Sequence, residues 1–197
     1  MFVTFEGVDG SGKSTQAELL RDALAGEGRE VVLTREPGGT ELGELVRELV
    51  LNGPEMSPWS EAALFAAARA ELVASVVRPA LERGADVIAD RYFDSSLAYQ
   101  GFARGLGIDH VLELNLTVVQ GLQPDLTVLL LVDPDEAARR SGATDRLERE
   151  GFALQTLADE GYRELAKLFP ARIVTFDGTL PASDLSDRVR EALRSRI

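Results

Sequence analysis

The stretch that most constrains this chain of 197 residues is Gly7-Val8-Asp9-Gly10-Ser11-Gly12-Lys13-Ser14. It opens where the apolar run Phe2 to Glu6 ends and closes where helical periodicity begins, from Lys13 to about Ala25. A buried strand that enters a glycine-rich turn and leaves as a helix is the first half of a strand–helix–strand unit, which points to a parallel sheet. The spacing also satisfies GxxxxGK[ST]. In that arrangement glycines let successive backbone N–H groups turn inward on phosphate oxygens, and the helix N-terminus adds a favourable dipole. Lys13 is placed to reach the β- and γ-phosphates and Ser14 to ligate Mg²⁺. Only Lys13 and Lys167 are lysines, so a chance match is on the order of one in several hundred. An ATP- or GTP-type site over Gly7 to Thr15 is therefore expected.

The remaining pattern repeats the first unit. Val31 to Thr34, Asp86 to Asp90, Leu126 to Val132 and Arg172 to Phe176 read as further strands. Helical stretches separate them at Glu41 to Leu51, from Ser60 to a bend before Pro79, and at Ala182 to Arg194. This predicts an α/β fold of three layers: five strands in a mainly parallel sheet with helices on both faces, in one domain over 1–197. Ligands in such sheets lie beyond the carboxyl ends of the strands.

Composition narrows the partners. With 33 acidic against 21 basic residues the net charge is −12, which argues against nucleic acid or an anionic membrane as a partner but leaves room for a small anion in a locally basic pocket. There is no Cys, so disulfides, thiolate metal sites and a Cys nucleophile are excluded together. The longest apolar stretch is about seven residues against the roughly 20 of a spanning helix, and no targeting segment is recognisable. A cytoplasmic protein is expected. A GTPase switch would carry an Asn/Thr-Lys-x-Asp motif; no Asp lies two residues after Lys167, and the one Asp-x-x-Gly is Asp9 to Gly12 inside the loop itself.

Three further stretches fall at the predicted strand ends or on the long helix: Thr34-Arg35-Glu36-Pro37-Gly38-Gly39-Thr40, Leu64-Phe65-Ala66-Ala67-Ala68-Arg69, and Asp90-Arg91-Tyr92-Phe93-Asp94-Ser95-Ser96-Leu97-Ala98-Tyr99-Gln100-Gly101. Phe65 and Arg69, and likewise Ser95 and Tyr99, are i, i+4 neighbours that share a helix face. Together with the phosphate loop, and with the later Asp145-Arg146-Leu147-Glu148 and Gly161-Tyr162-Arg163-Glu164-Leu165-Ala166, these stretches closely resemble the thymidylate kinase family over nearly the whole chain. The resemblance implies transfer of the γ-phosphate of ATP to dTMP, giving dTDP and ADP, with Mg²⁺, in a homodimer.

An acceptor that already carries an anionic phosphate needs charge neutralisation and in-line alignment rather than a strong base. Arg35 and Arg91 suit fork-like contacts with that phosphate. Asp90, ending a buried strand, is placed to order Mg²⁺ and its waters, or to cap a helix. The resemblance puts Asp9 near the acceptor's 3′-hydroxyl and phosphate, Phe65 in a stack on thymine and Arg69 as donor to a pyrimidine carbonyl. Ser96, Tyr99 and Gln100 complete that pocket, with Tyr99 crowding a ribose 2′-hydroxyl. The family often has an acidic residue just before this Arg and a His three residues after it; here Ala68 and Leu72 stand there, so Arg69 needs other supports.

The phosphate loop carries no arginine, and the family has a subclass in which lid arginines supply that charge. Arg146 is the first candidate and Arg140 the second, with Arg139 and Arg149 nearby, in a lid over about 139–150. The catalytic set expected is thus Lys13, Arg91, Arg146 and Asp9. His110, the one His, is expected on the surface near a helix start. Two rivals remain open: a kinase for another nucleotide or a deoxynucleoside, and a non-catalytic nucleotide-binding switch.

Overall fold

The computed structural model describes residues 1–141 and 152–195. The strands β1 (Phe2–Glu6), β2 (Val31–Arg35), β3 (Asp86–Asp90), β4 (Leu126–Leu131) and β5 (Ile173–Asp177) alternate with helices along the chain. They form one sheet in the order β2-β3-β1-β4-β5, with every neighbouring pair parallel. The expected "mainly parallel" sheet is thus parallel throughout. Strand ends agree with the sequence reading to within one residue.

Both sheet faces are covered, which is why the strands read as nearly continuous apolar runs. Alternate residues point to opposite faces. Val3, Phe5, Ile88, Val128 and Leu130 pack under α1 (Lys13–Gly26) and the closing helix, through Leu20, Leu24, Leu185 and Val189. Phe2, Val87, Ala89 and Leu129 face the opposite core, with Leu72, Val77, Leu97, Val111 and Leu165.

That second face is built by α2 (Glu41–Asn52), α3 (Pro58–Leu72), α4 (Arg78–Glu82), α5 (Phe93–Ser96), α6 (Ile108–Val118), α7 (Pro134–Ser141) and α8 (Phe152–Leu168); α9 (Ala182–Arg194) closes the chain. The side-chain oxygens of Thr40 and Ser57 accept from Gly43 N and Ser60 N and start α2 and α3. The bend expected before Pro79 is a π-helical stretch, Val73–Val77, joining α3 to α4; Arg78 N donates to Val73 O, one residue further back than in an α-helix. A second π-helical stretch, Leu97–Ala103, continues α5. Among the described residues no helix is long and apolar enough to cross a membrane.

Parallel register brings the carboxyl ends of β1, β2 and β3 to one edge: Phe5 pairs with Asp90, and Arg35 pairs with Asp90 on the other side. The loop after β1 and the segments after β2 and β3 therefore share that edge, at the point where the chain winds away from β1 in both directions.

Candidate active site

The phosphate loop takes the form its sequence requires. Gly7 has φ +138°, and a Cβ there would lie 2.4 Å from Leu130 O, so the loop reaches the strand edge only with glycine. Gly12 (φ +95°) turns into α1 with no side-chain cap. The first-turn N–H groups of α1 are thereby left for an anion. Lys13 is buried, and its Nζ donates to Val8 O at 2.8 Å. Burial and the neighbouring Arg91 lower its ammonium to about 8, against the upward pull of Asp9, Asp90 and Glu6. The buried Ser11 hydroxyl has no protein partner.

Ser14 Oγ donates to Asp90 Oδ2. Among the described residues no group of three or more His, Cys, Asp or Glu stands ready for a metal. A hydroxyl and one carboxylate beside a phosphate site nonetheless fit Mg²⁺, which takes hard oxygens and leaves several positions to water and phosphate. The helix-cap alternative for Asp90 fails, because the residue before α5 is Tyr92 and no side chain caps it.

Arg91 is the hub. Its Nη2 donates to Asp9 Oδ1, and its Nη1 donates to Gly7 O at 2.9 Å and to Ser95 Oγ and Tyr162 OH at 3.1 Å. Its guanidinium lies 5.7 Å from the Tyr99 ring centre. These contacts hold Arg91 at φ +73°, a left-handed conformation that costs a non-glycine residue roughly 1–3 kcal/mol. Burial alone would raise the Asp9 carboxyl, but Arg91 and Lys13 outweigh it and hold it at about 2.

Beneath the hub lies Glu6, which sequence reasoning passed over. It is fully buried and accepts from Tyr92 N (2.7 Å), Ser95 Oγ (2.6 Å) and Tyr162 OH (2.9 Å). Burial, then Asp94, push its carboxyl up to about 7, while Arg91 and the donors pull it back. The available clue was a carboxylate ending an otherwise apolar strand just before the loop. Tyr162 reaches this network because Gly161 lets α8 approach the second π-helical stretch: a Cβ at Gly161 would meet Phe102 Cβ at 3.0 Å and Ala98 O at 3.1 Å.

A cavity opens beside the loop. Asp9, Glu36, Pro37, Arg47, Leu51, Phe65, Arg69, Arg91, Ser95, Ser96, Tyr99 and Gln100 line it. Of the acceptor-site residues singled out from sequence, Asp9, Phe65, Arg69, Arg91, Ser96, Tyr99 and Gln100 therefore meet at one place. Phe65 is both core and lining, since it packs on Val46, Val50 and Ala68. Buried Tyr99 OH and Glu36 Oε1 have no protein partner.

Arg69 is only 1% exposed, and every N–H direction of its guanidinium is engaged. Nε donates to Glu36 Oε2 at 2.7 Å, Nη2 lies 2.5 Å from the same oxygen and 3.3 Å from Tyr92 O, and Nη1 serves Ser96 Oγ at 3.1 Å and Asn115 Oδ1. Glu36 and Asn115 are the supports that Ala68 and Leu72 do not provide. A ligand carbonyl must share one of these donors, and the rotatable Ser96 hydroxyl is the partner most easily displaced.

Arg35 departs from its expected place. It is exposed, donates to Glu44 at 3.1 and 3.2 Å, and lines a separate hollow with Ser14 and Asp90. As the last residue of β2 it points away from the cavity, on the face opposite Glu36. Arg47, from α2, stands at the cavity instead, donating to Pro37 O at 3.0 Å. Arg140 donates to Glu136 Oε1 at 2.9 Å and to Gly178 O at 3.1 Å, tying α7 to the turn after β5. Arg139 pairs with Glu136 at 2.6 Å. Arg146, Arg149 and the rest of Asp145 to Glu148 lie outside the described residues. His110 is exposed near the start of α6, within 3.1 Å of Leu106 O.

The family model described as "Thymidylate kinase" matches residues 5–189. The chain is 48% identical to a thymidylate kinase of Leifsonia xyli subsp. xyli over 202 residues, covering 100% of this chain and 96% of that one. It is 44% identical to a thymidylate kinase of Deinococcus radiodurans over 200 residues, covering 100% and 97%. The crystal structure of thymidylate kinase from Ehrlichia chaffeensis superposes with a TM-score of 0.80 at 34% identity over 98% of each chain. The chain belongs to the thymidylate kinase family.

Proposed function

We propose that this chain is a cytoplasmic thymidylate kinase that transfers the γ-phosphate of ATP to dTMP. One observation carries the reading: the Asp9–Arg91 pair belongs at once to the phosphate loop and to the cavity lined by Phe65 and Arg69. A phosphate donor in the loop and a phosphorylated acceptor in the cavity thus meet at a single guanidinium.

The loop N–H groups and Lys13 bind the donor phosphates. Ser14 and Asp90 would hold Mg²⁺, which when bound neutralises phosphate charge. Arg91 and Arg47 face the acceptor phosphate and hold it in line; Arg35 stands on the Ser14–Asp90 side. An acceptor oxygen forms the new bond to the γ-phosphorus while the bond to the ADP oxygen breaks, and no base is required because the acceptor is already anionic. Phe65 offers the stacking face for the base, and Tyr99 and Glu36 supply unpartnered polar atoms to the sugar and base region. Arg146 and Arg140 supply further positive charge from the lid.

Following ADP release with ATP, Mg²⁺ and a panel of nucleoside monophosphates and nucleosides tests this. dTMP is expected to be preferred, with dUMP behind it by the ~1–3 kcal/mol of one methyl group. A neutral nucleoside as best acceptor, or ATP-dependent association without ADP release, overturns the reading.

The homodimer has its own support. Leu42, Leu45 and Leu49 on α2 are 44, 65 and 42% exposed and form a stripe alongside the buried Val46 and Val50. An apolar stripe of this kind suits a second copy. Sedimentation velocity should give a dimer for the native chain and a monomer for Leu45→Glu; a monomeric native chain at tens of micromolar discards the proposal.

A further inference from the structure

Glu61 lies in the first turn of α3, far in sequence from the cavity residues it touches. It is 1% exposed. Its Oε1 accepts from Gln100 Nε2 at 2.9 Å and from Arg104 Nε at 3.2 Å, and its Oε2 accepts from Arg104 Nη2 at 3.0 Å. Gln100 is itself buried and lines the cavity beside Phe65 and Arg69.

The chemistry of this trio fixes an orientation. A carboxylate accepts and never donates, so the half of the Gln100 amide that faces Glu61 has to be the NH₂. The planar amide then turns its other half, the acceptor Oε1, away from Glu61. Arg104 forks onto both carboxylate oxygens and keeps Glu61 an acceptor in a dry setting. The N-terminal turn of α3 favours the same negative charge.

We propose that Glu61, held by Arg104, is a positioning residue for base specificity: it locks Gln100 with its carbonyl oxygen toward the base. The inference rests on the reading that the cavity takes dTMP. A locked acceptor matches a pyrimidine whose ring N3 carries hydrogen, as in thymine and uracil. It opposes cytosine, whose N3 is a lone pair, because two acceptors then face each other across a desolvated contact. Phe65 cannot draw this distinction, since every pyrimidine has the same stacking face.

Glu61→Gln tests the lock. A neutral amide at 61 gives its single oxygen to Arg104 and turns its NH₂ toward Gln100, which has to flip to answer it. The readout is the ratio of kcat/KM for dTMP over 5-methyl-dCMP, a pair that differ only at N3 and at the exocyclic group on C4. The ratio is expected to fall at least tenfold in E61Q, chiefly through KM, with the KM for ATP little changed. Glu61→Asp keeps an acceptor-only group and should keep the preference. E61Q added to Gln100→Ala should lower the ratio no further. An unchanged ratio in E61Q, with both acceptors weakened equally, makes Glu61 a structural tie between α3 and the second π-helical stretch and overturns the proposal.

A measurement on the native chain does not depend on the variant folding. With dTMP bound, the Gln100 carboxamide protons should keep their nuclear Overhauser contacts to Arg104; loss of these in favour of contacts to the base overturns the lock. Absence of dTMP turnover by the native chain would instead defeat the function proposed above, so the two failures are distinguishable.

Discussion

The two ends of the site are built on different physical terms. At the phosphate end the groups come from one contiguous loop and the strand beside it, and they are poised rather than satisfied. First-turn N–H groups of α1 lack a cap, Ser11 Oγ has no partner, and Lys13 rests on a loop carbonyl. At the base end the groups come from four separate segments and are tied to one another, with Arg69 held by Glu36, Ser96, Asn115 and Tyr92 O. Among the described residues there, only Tyr99 OH and Glu36 Oε1 are left without a protein partner. A site for highly charged phosphate can rely on donors that cost little to leave facing water. A site that must tell one uncharged base from another has to fix its polar groups before the ligand arrives, because buried groups discriminate only when a wrong partner leaves them unpaired.

The largest way to break this contrast is Lys13→Ala. Turnover should fall by about 10⁴-fold, with the unfolding midpoint within a few degrees of the native chain, because a poised cation contributes to reaction and little to fold. Turnover within tenfold of native would remove the phosphate end from the chemistry. Glu36→Ala should do the reverse in kind. It strands the buried Arg69 charge and should cost about 3 kcal/mol of stability by urea unfolding; a loss under 1 kcal/mol would mean the base end is less committed than its contacts imply.

The smallest effect sharpens the phosphate end. The Asp9 carboxyl stands at about 2 when folded against 3.8 unfolded. Its contribution is therefore fully present above pH 4 and is lost as pH falls toward 2. Its side chain is 41% exposed, so solvent screening leaves about 1 kcal/mol of that. The stability gap between the native chain and Asp9→Asn should close from pH 4 down to the onset of acid unfolding; a gap that widens there contradicts the Asp9–Arg91 pairing.

The contrast also explains which residues were legible in the sequence. The loop, its strand and its helix were readable because backbone turns and a scarce lysine form a local pattern. Phe65, Arg69, Ser96, Tyr99 and Gln100 could be named only through family resemblance; their spacing offered nothing beyond a shared helix face. Asn115 carried no mark at all, since a single Asn in a helix becomes a ligand for Arg69 only when α6 packs against α3. Arg35 misled for a related reason. An arginine ending a strand looks aimed at the ligand edge, but the alternation of side chains turns it to Glu44 and gives the cavity side to Glu36.

The amino-acid sequence by itself determined the parallel layered fold and the phosphate loop, because both follow from hydrophobic period and glycine spacing over a few neighbouring residues. Only the tertiary structure decided that Arg47 rather than Arg35 lines the cavity beside the loop, that Arg91 sits in a left-handed conformation, and that Gln100 meets Glu61. Those outcomes depend on which buried donor meets which acceptor across dozens of residues. Burial makes each such pairing costly to leave unmade, and no local pattern records it.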